Sequence, residues 1–267
     1  MVTLARFISD IRKYSEYIFF SAKSELKAEV IGSYLNWLWW FLDPLLFMLV
    51  YTFIAQIIFR SNVLYFPVFV FIGLNLWNLF NKVVLGSVTV VKRNRTIVSK
   101  VYLPKFVLVL QKITVNGIKM LIAFSLVFAM MLIYRVPLTW NILYILPIFL
   151  MLAILTFGIG CLVLHFGVFI DDLYNVLQVV LRLIFYLSGI FYVIDGKLPA
   201  PYDMILLKMN PVAFAIDSAR TCLLYSSSPD ILTLTIWTVI GILLSVYSIT
   251  VIYKYENSYE MCIRDRS

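Results

Sequence analysis

Few residues in this sequence are placed to do chemistry, and the best placed are Asn75, Asn78 and Lys82. With Gly86 and Thr89 they recur at three- and four-residue steps through an apolar run from Phe66 to Val91. That spacing puts them on one face of a helix. Polar side chains at membrane depth face the protein interior or a wet cavity. The stripe can therefore line a path for a polar ligand, or hydrogen-bond neighbouring helices. Covalent chemistry has no comparable support. His165 is the only histidine and has no second ligand or acid–base partner, so helix packing is the simpler reading. Cys161, Cys222 and Cys262 show neither metal nor redox spacing. No G-x-x-x-x-G-K-S/T cradle, H-E-x-x-H pair or G-x-S-x-G elbow occurs. The expectation is a chain that is not an enzyme and takes no cofactor or metal; if it works by ATP, a second polypeptide binds the nucleotide.

The elements that must position the stripe follow from composition. The chain is 63% hydrophobic and 13% charged, against about half and about a quarter in soluble domains. An all-α integral membrane protein is expected, with residues 1–260 forming a single transmembrane domain. Its net charge of +8 does not point to nucleic acid, because basic residues gather in cytoplasmic loops and set orientation. Leu4, Phe7, Ile8, Ile11, Tyr14, Ile18, Ala22 and Leu26 form a helical stripe, predicting an amphipathic helix in the membrane surface. No cleaved signal peptide is expected.

Six spans are expected after it. The first follows the interfacial Trp37, Trp39 and Trp40 and runs to about Phe59, kinked or restarted at Asp43-Pro44. The second is the Phe66–Val91 run. The third rises from a wet face of Lys105, Lys112, Asn116 and Lys119 and crosses from about Ile118 to Tyr134. The fourth, about Asn141–Val168, carries Gly158, Gly160 and Gly167, which permit close helix contact. The fifth is Leu173–Phe191, headed by Asp171-Asp172, and the sixth is Ile231 to about Tyr253. Basic residues at Lys13, Lys23, Lys27, Lys92–Lys105 and Lys254 place both termini in the cytoplasm. Residues 261–267 (MCIRDRS) fit nothing in this pattern and are set aside as a tail of doubtful origin.

Between spans five and six lies Leu187–Arg220, cut by Asp195-Gly196, Pro199, Pro201 and Asn210-Pro211. None of its apolar pieces reaches the roughly 20 residues of a membrane helix. Irregular backbone is not tolerated against lipid, so the segment must lie at an interface or dip in while shielded. Two short helices are predicted, at Tyr202–Met209 and Val212–Leu224, with Asn210 as N-cap and Pro211 in the first turn.

Four ordered blocks carry a family resemblance, over about Lys27–Tyr255. They are Gly32-Ser33, Trp37 and Asp43-Pro44-Leu45; Gly73-Leu74-Asn75-Leu76-Trp77-Asn78; Asn94, Ile97 and Lys100-Val101-Tyr102-Leu103-Pro104; and Phe191-Tyr192 followed by Asn210-Pro211 and Ala219-Arg220. Tyr255-Glu256 fits the family's close. Together they resemble ABC-2 type permeases that export polysaccharides, including O-antigen, capsule and teichoic acid. The chain departs from the family at Ser188-Gly189, where Ser-Pro is common, and at Asp171-Asp172, where Arg-Asp is usual. The resemblance implies a homodimeric permease in a bacterial-type inner or plasma membrane. It would pair with two ABC ATPase subunits, move a lipid-linked polysaccharide outward, and contact membrane lipids. On that reading Tyr34, Trp37, Trp40, Phe185, Tyr186, Phe191 and Tyr192 would offer sliding surfaces for sugar rings, alongside Asn75, Asn78 and Lys82. Arg12, Lys13, Arg93, Arg95, Lys100 and Tyr102 would receive the ATPase's motion. Asp195, Pro199, Asn210, Pro211 and Arg220 would form a gate. The rival readings are an exporter of a small molecule or lipid, and an ATP-independent channel or secondary transporter, for which Asp43 is the one candidate buried acid. A membrane-embedded transferase lacks an acid–base constellation.

Overall fold

The computed structural model describes residues 2–31, 36–54, 63–98, 100–194, 201–256 and 258–259, and these contain helices and no strand. In chain order they are α1 (Val2–Val30), α2 (Trp39–Phe53), α3 (Phe66–Arg93), α4 (Arg95–Val98), α5 (Phe106–Ile133), α6 (Ile145–Phe169), α7 (Leu173–Leu187), α8 (Tyr202–Met209), α9 (Pro211–Leu223) and α10 (Ile231–Lys254). Short 3-10 turns at Asn36–Leu38 and Trp140–Tyr144 lead into α2 and α6. Among the described residues, four stretches are long and apolar enough to cross a membrane: α3, α5, Trp140–Phe169 and α10. This is a multi-pass, all-helical membrane protein. Tyr34, Asp195, Pro199, the Arg60–Asn62 turn and the 261–267 tail lie outside the described residues.

α3 is the central pillar, buried over most of its length against α2, α5, α6, α7 and α9. Two apolar clusters form around it. One centres on Phe66–Phe80 with α5, α6 and α9; the other gathers Val90, Phe106, Cys161 and Ile252 at the end that carries the basic run. Glycines on α6 set its distances to three partners. A Cβ at Gly158 would lie 3.0 Å from the Ser245 backbone nitrogen on α10, and one at Gly160 would lie 2.9 Å from Val109 on α5. At Gly167 it would strike the Val88 carbonyl of α3. The expectation of close packing through these glycines holds, for the reason that small residues let backbones approach in lipid.

Three expectations change. α7 ends at Leu187 rather than Phe191, because Gly189 adopts φ +62°, a left-handed conformation that ends the helix. The same angle explains why proline, fixed near −65°, does not stand at 189. At Pro44, where a kink or a restart was expected, α2 continues as one helix, which removes the restart. Thirdly, the apolar stripe of α1 turns inward: Ile18 and Ala22 are buried, with Phe7, Ile11 and Tyr14 against the same cluster. Ile8 on the stripe, and Phe19 and Phe20 off it, remain exposed.

The two short helices expected after span five are present as α8 and α9. The Asn210 side chain caps α9 by accepting from the Val212 and Ala213 amides, at 3.1 and 3.2 Å. Its own amide donates to Ser188 Oγ at 3.1 Å. At the far end of α9, Arg220 is 3% exposed and donates to three carbonyls: Phe69 at 3.0 Å, Gly189 at 2.8 Å and Ile190 at 2.8 Å. Its guanidinium also stacks over the Phe69 ring, 3.4 Å from the centroid. Gly73 leaves the room for it, since a Cβ there would sit 2.5 Å from Arg220 Nη2. α9 is thus clamped to α3 and to the turn that ends α7.

Removing this clamp strands three buried acceptors, each costing about 1–3 kcal/mol. We predict that Arg220→Met lowers stability by about 3 kcal/mol or more, and that Arg220→Lys recovers only part. Unfolding in detergent measures this; an unchanged midpoint for Arg220→Met would show that the clamp carries no stability.

Candidate functional site

The polar stripe of α3 opens into a hollow of about 380 Å³ bounded by α2, α3, α5 and the end of α1. That volume is in the range of ligand sites. From α3 it is lined by Asn75, Asn78 and Lys82. α2 adds Trp39, Trp40 and Asp43; α5 adds Asn116 and Lys119; α1 adds Glu29. Three of the expected residues therefore meet, and Trp40 joins them. The remainder of the stripe diverges: Gly86 faces open space, and the Thr89 hydroxyl is buried with no partner among the described residues.

Charge in the hollow is balanced. Lys119 forms an ion pair with Glu29 and lies 5.8 Å from the centre of the Trp40 ring. Lys82 and Asp43 are both exposed to the hollow's space, so Asp43 is not the buried acid that a coupling-ion site would need. Asn75 and Asn116 spend their amide N–H on carbonyls one turn back, those of Phe71 and Lys112. Their side-chain oxygens are left to accept. The result is a set of amides, opposite charges and indole faces that can bind hydroxyl-rich groups by hydrogen bonding and stacking.

Among the described aromatic candidates, Trp37, Phe185, Tyr186, Phe191 and Tyr192 do not line this hollow. Phe185 and Phe191 belong to a packed series: Trp77 meets Phe185 at 5.4 Å, Phe185 meets Phe191 at 5.4 Å, and Phe191 stacks on Tyr51 at 3.7 Å. Tyr186 is exposed, and its carbonyl accepts from the Tyr192 hydroxyl at 2.7 Å. Trp37 is exposed and meets Phe41 edge-on at 5.7 Å.

The basic run folds into α4 and the turn before Pro104. Ile97, Lys100, Val101 and Tyr102 stand exposed there. Arg12 and Lys13 are exposed on α1. Arg95 is half-buried, and Arg93 faces a separate hollow beside α1. Contacts not legible in the sequence tie this end together. Arg6 donates to the Tyr102 hydroxyl at 2.5 Å and to Glu256 at 3.2 Å, and Tyr253 donates to Asp10 at 2.6 Å. Partial burial and the neighbouring Glu256 push the Tyr102 phenol up to about 12, so it stays protonated. Lys92 pairs with Asp171 at 2.6 Å, which gives the acid at 171 a local role. His165 packs as expected: its Nδ1 hydrogen-bonds Tyr259 at 2.7 Å, among Phe169 and Tyr255.

α8 is tethered to the start of α10. Lys208 pairs with Asp230 at 3.0 Å, and Trp237 donates to the Lys208 carbonyl at 2.9 Å. Lys208, the Thr233 hydroxyl and the Thr233 amide lower the Asp230 carboxyl to about 2.

No protein-family model matches the chain. It is 25% identical over 227 residues to the O-antigen export system permease protein RfbA of Myxococcus xanthus, covering 85% of this chain and 87% of that protein. Two proteins of the same description from Klebsiella pneumoniae are 29% identical over 199 residues (73% and 75% covered) and 26% identical over 233 residues (87% and 89%). The resemblance read from the motifs is therefore matched by similarity along most of the chain.

The Asp230 carboxyl makes the α8 tether pH-dependent. Its folded value is below the ordinary 3.8, so its stabilisation is present above about pH 4 and lost as pH falls through about 2. We predict that the melting difference between wild type and Asp230→Asn shrinks over that window; a difference constant with pH would overturn the assignment.

Proposed function

We propose that the chain is the membrane-spanning subunit of an ATP-driven ABC-2 type exporter of a lipid-linked polysaccharide, with the α2–α3–α5 hollow on the polymer's path. The observation that carries this is the meeting of Asn75, Asn78, Lys82, Asn116 and Trp40 in one balanced polar hollow, in a chain similar over most of its length to O-antigen export permeases. A drug exporter would be served by a smoother apolar cavity than this.

In this reading the protein has six spans, with α2 and α7 as the shorter two. α7 is 15 residues, about 22 Å of helix against about 30 Å of hydrocarbon. The α7–α8–α9 segment that follows is held in the protein by Arg220 and Asn210, as irregular backbone at depth requires. The basic end faces the cytoplasm with both termini, in a bacterial inner or plasma membrane. Two copies pair, and each receives an ATPase at α4, where Ile97 and Val101 stand exposed beside Lys100. Arg12 and Lys13 flank that surface. Tyr102, bonded to Arg6, passes the motion on to α1.

Two experiments test the reading. Purification in mild detergent is expected to bring down a Walker-type ATPase in equal amount; its reproducible absence with an intact, folded chain would overturn it. Lys82→Ala and Asn78→Ala should each reduce surface glycan about tenfold, from loss of about 1.5 kcal/mol of hydrogen bonding along the path, at normal protein level. Unchanged glycan with altered drug sensitivity would move the function to small-molecule export.

A further inference from the structure

A second hollow, of about 400 Å³, lies between the latter half of α1, the end of α3 and the start of α5. It shares no residue with the first. Ser21 and Ser24 face it from α1 and Arg93 from α3. Gln111 and Lys112 of α5 face it beside Glu25.

Its charges resolve simply. Glu25 accepts from Lys112 at 2.5 Å and from Gln111 Nε2 at 2.9 Å. That carboxylate and ammonium cancel. Arg93 has no carboxylate partner among the described residues, and neither serine hydroxyl has a hydrogen-bond partner among them. One positive charge and two unused hydroxyl donors therefore remain. Gln111 is 5% exposed, and its Oε1 is buried with no donor among the described residues. The hollow thus offers a guanidinium and hydroxyls to an anion, above a buried amide whose Nε2 is held by Glu25.

The depth points to the source of that anion. Arg93 ends α3, and Gln111 lies five residues into α5, about 7.5 Å along the helix. The headgroup layer on each side of the hydrocarbon is about 5–7 Å thick. A phosphodiester carries one negative charge and matches the single uncompensated arginine. A phosphomonoester, at about −1.5 to −2, does not. A guanidinium is also suited to two oxygens of one phosphate.

We propose that this hollow holds the phosphodiester headgroup of a membrane phospholipid, with Arg93, Ser21 and Ser24 donating to the phosphate. The assignment is independent of what is exported. It also separates Arg93 from the ATPase-facing surface of α4, although the two are adjacent in sequence.

Native mass spectrometry of the full chain after detergent exchange tests it. Wild type should retain about one phospholipid per chain. Arg93→Gln, and Ser21→Ala with Ser24→Ala, should lower that occupancy about tenfold, as expected for loss of a charged hydrogen bond. Lys23→Gln, an exposed cation outside the hollow, should leave it unchanged. Equal occupancy in all variants, or an equal loss in Lys23→Gln, overturns the site. Excess inorganic phosphate that displaces the lipid would assign the hollow to free phosphate and overturn the lipid reading. A measurement on wild type alone guards against misfolded variants: short-chain phosphatidylglycerol should protect Arg93 from phenylglyoxal, and inorganic phosphate should not. Labelling of Arg93 at the same rate with and without the lipid also overturns the proposal.

Discussion

A single guanidinium, that of Arg220, joins α9 to α3 and to the end of α7. An isolated charge in an apolar interior is costly, and Arg220 offsets that cost by meeting acceptors that would otherwise go unpaired. The carbonyls of Gly189 and Ile190 lie just past the end of α7, where helix geometry leaves no internal donor. The bond to Phe69 reaches the first turn of α3. Each side supplies what the other lacks, so α9, α3 and the α7 end are positioned together. The arrangement needs Gly189 for its left-handed turn and Gly73 for space. Three positions far apart in sequence thus form one device.

The α2–α3–α5 hollow depends on this placement. With α9 fastened to one end of α3 and α6 pressed on it at Gly167, α3 has little freedom to rotate. The face bearing Asn78 and Lys82 is then presented to α2 and α5. Glu29 reaches Lys119 from α1, so the helix across the basic end also forms part of the hollow's wall. α1 therefore touches the hollow through Glu29 and the α4 turn through Arg6 and Tyr14.

Much of this was legible in the sequence, and the rest was not for identifiable physical reasons. Periodicity and capping chemistry located α3, α8, α9 and α10, because the 3.6-residue period, Asn210 and Pro211 are local signals. The polar stripe was legible at Asn75, Asn78 and Lys82 for the same reason. Asn116 and Lys119 were visible as a wet face of α5, but their meeting with the stripe depends on packing across forty residues. The α1 stripe was misassigned to lipid because a membrane surface and a buried protein surface select the same apolar spacing. Arg220 read as a gate residue from its motif; its three acceptors are backbone atoms, which carry no residue-type signature. The aromatic candidates divided because ring content cannot distinguish packing within the protein, as at Phe185 and Phe191, from exposure, as at Trp37.

The burial of α3 has a consequence for how the chain is made. α3 is the least apolar of the four long helices and carries Lys82 near its middle. A lysine at the centre of a lone helix costs about 2.5–3.5 kcal/mol on insertion scales, and the two asparagines add to it. α3 also emerges from the ribosome before the α5, α6 and α9 surfaces that will cover it. Early in synthesis it is therefore the one of these four with the weakest claim on the bilayer. Its lasting residence there is secured by later-arriving helices, which makes the order of translation part of how this membrane protein reaches its fold.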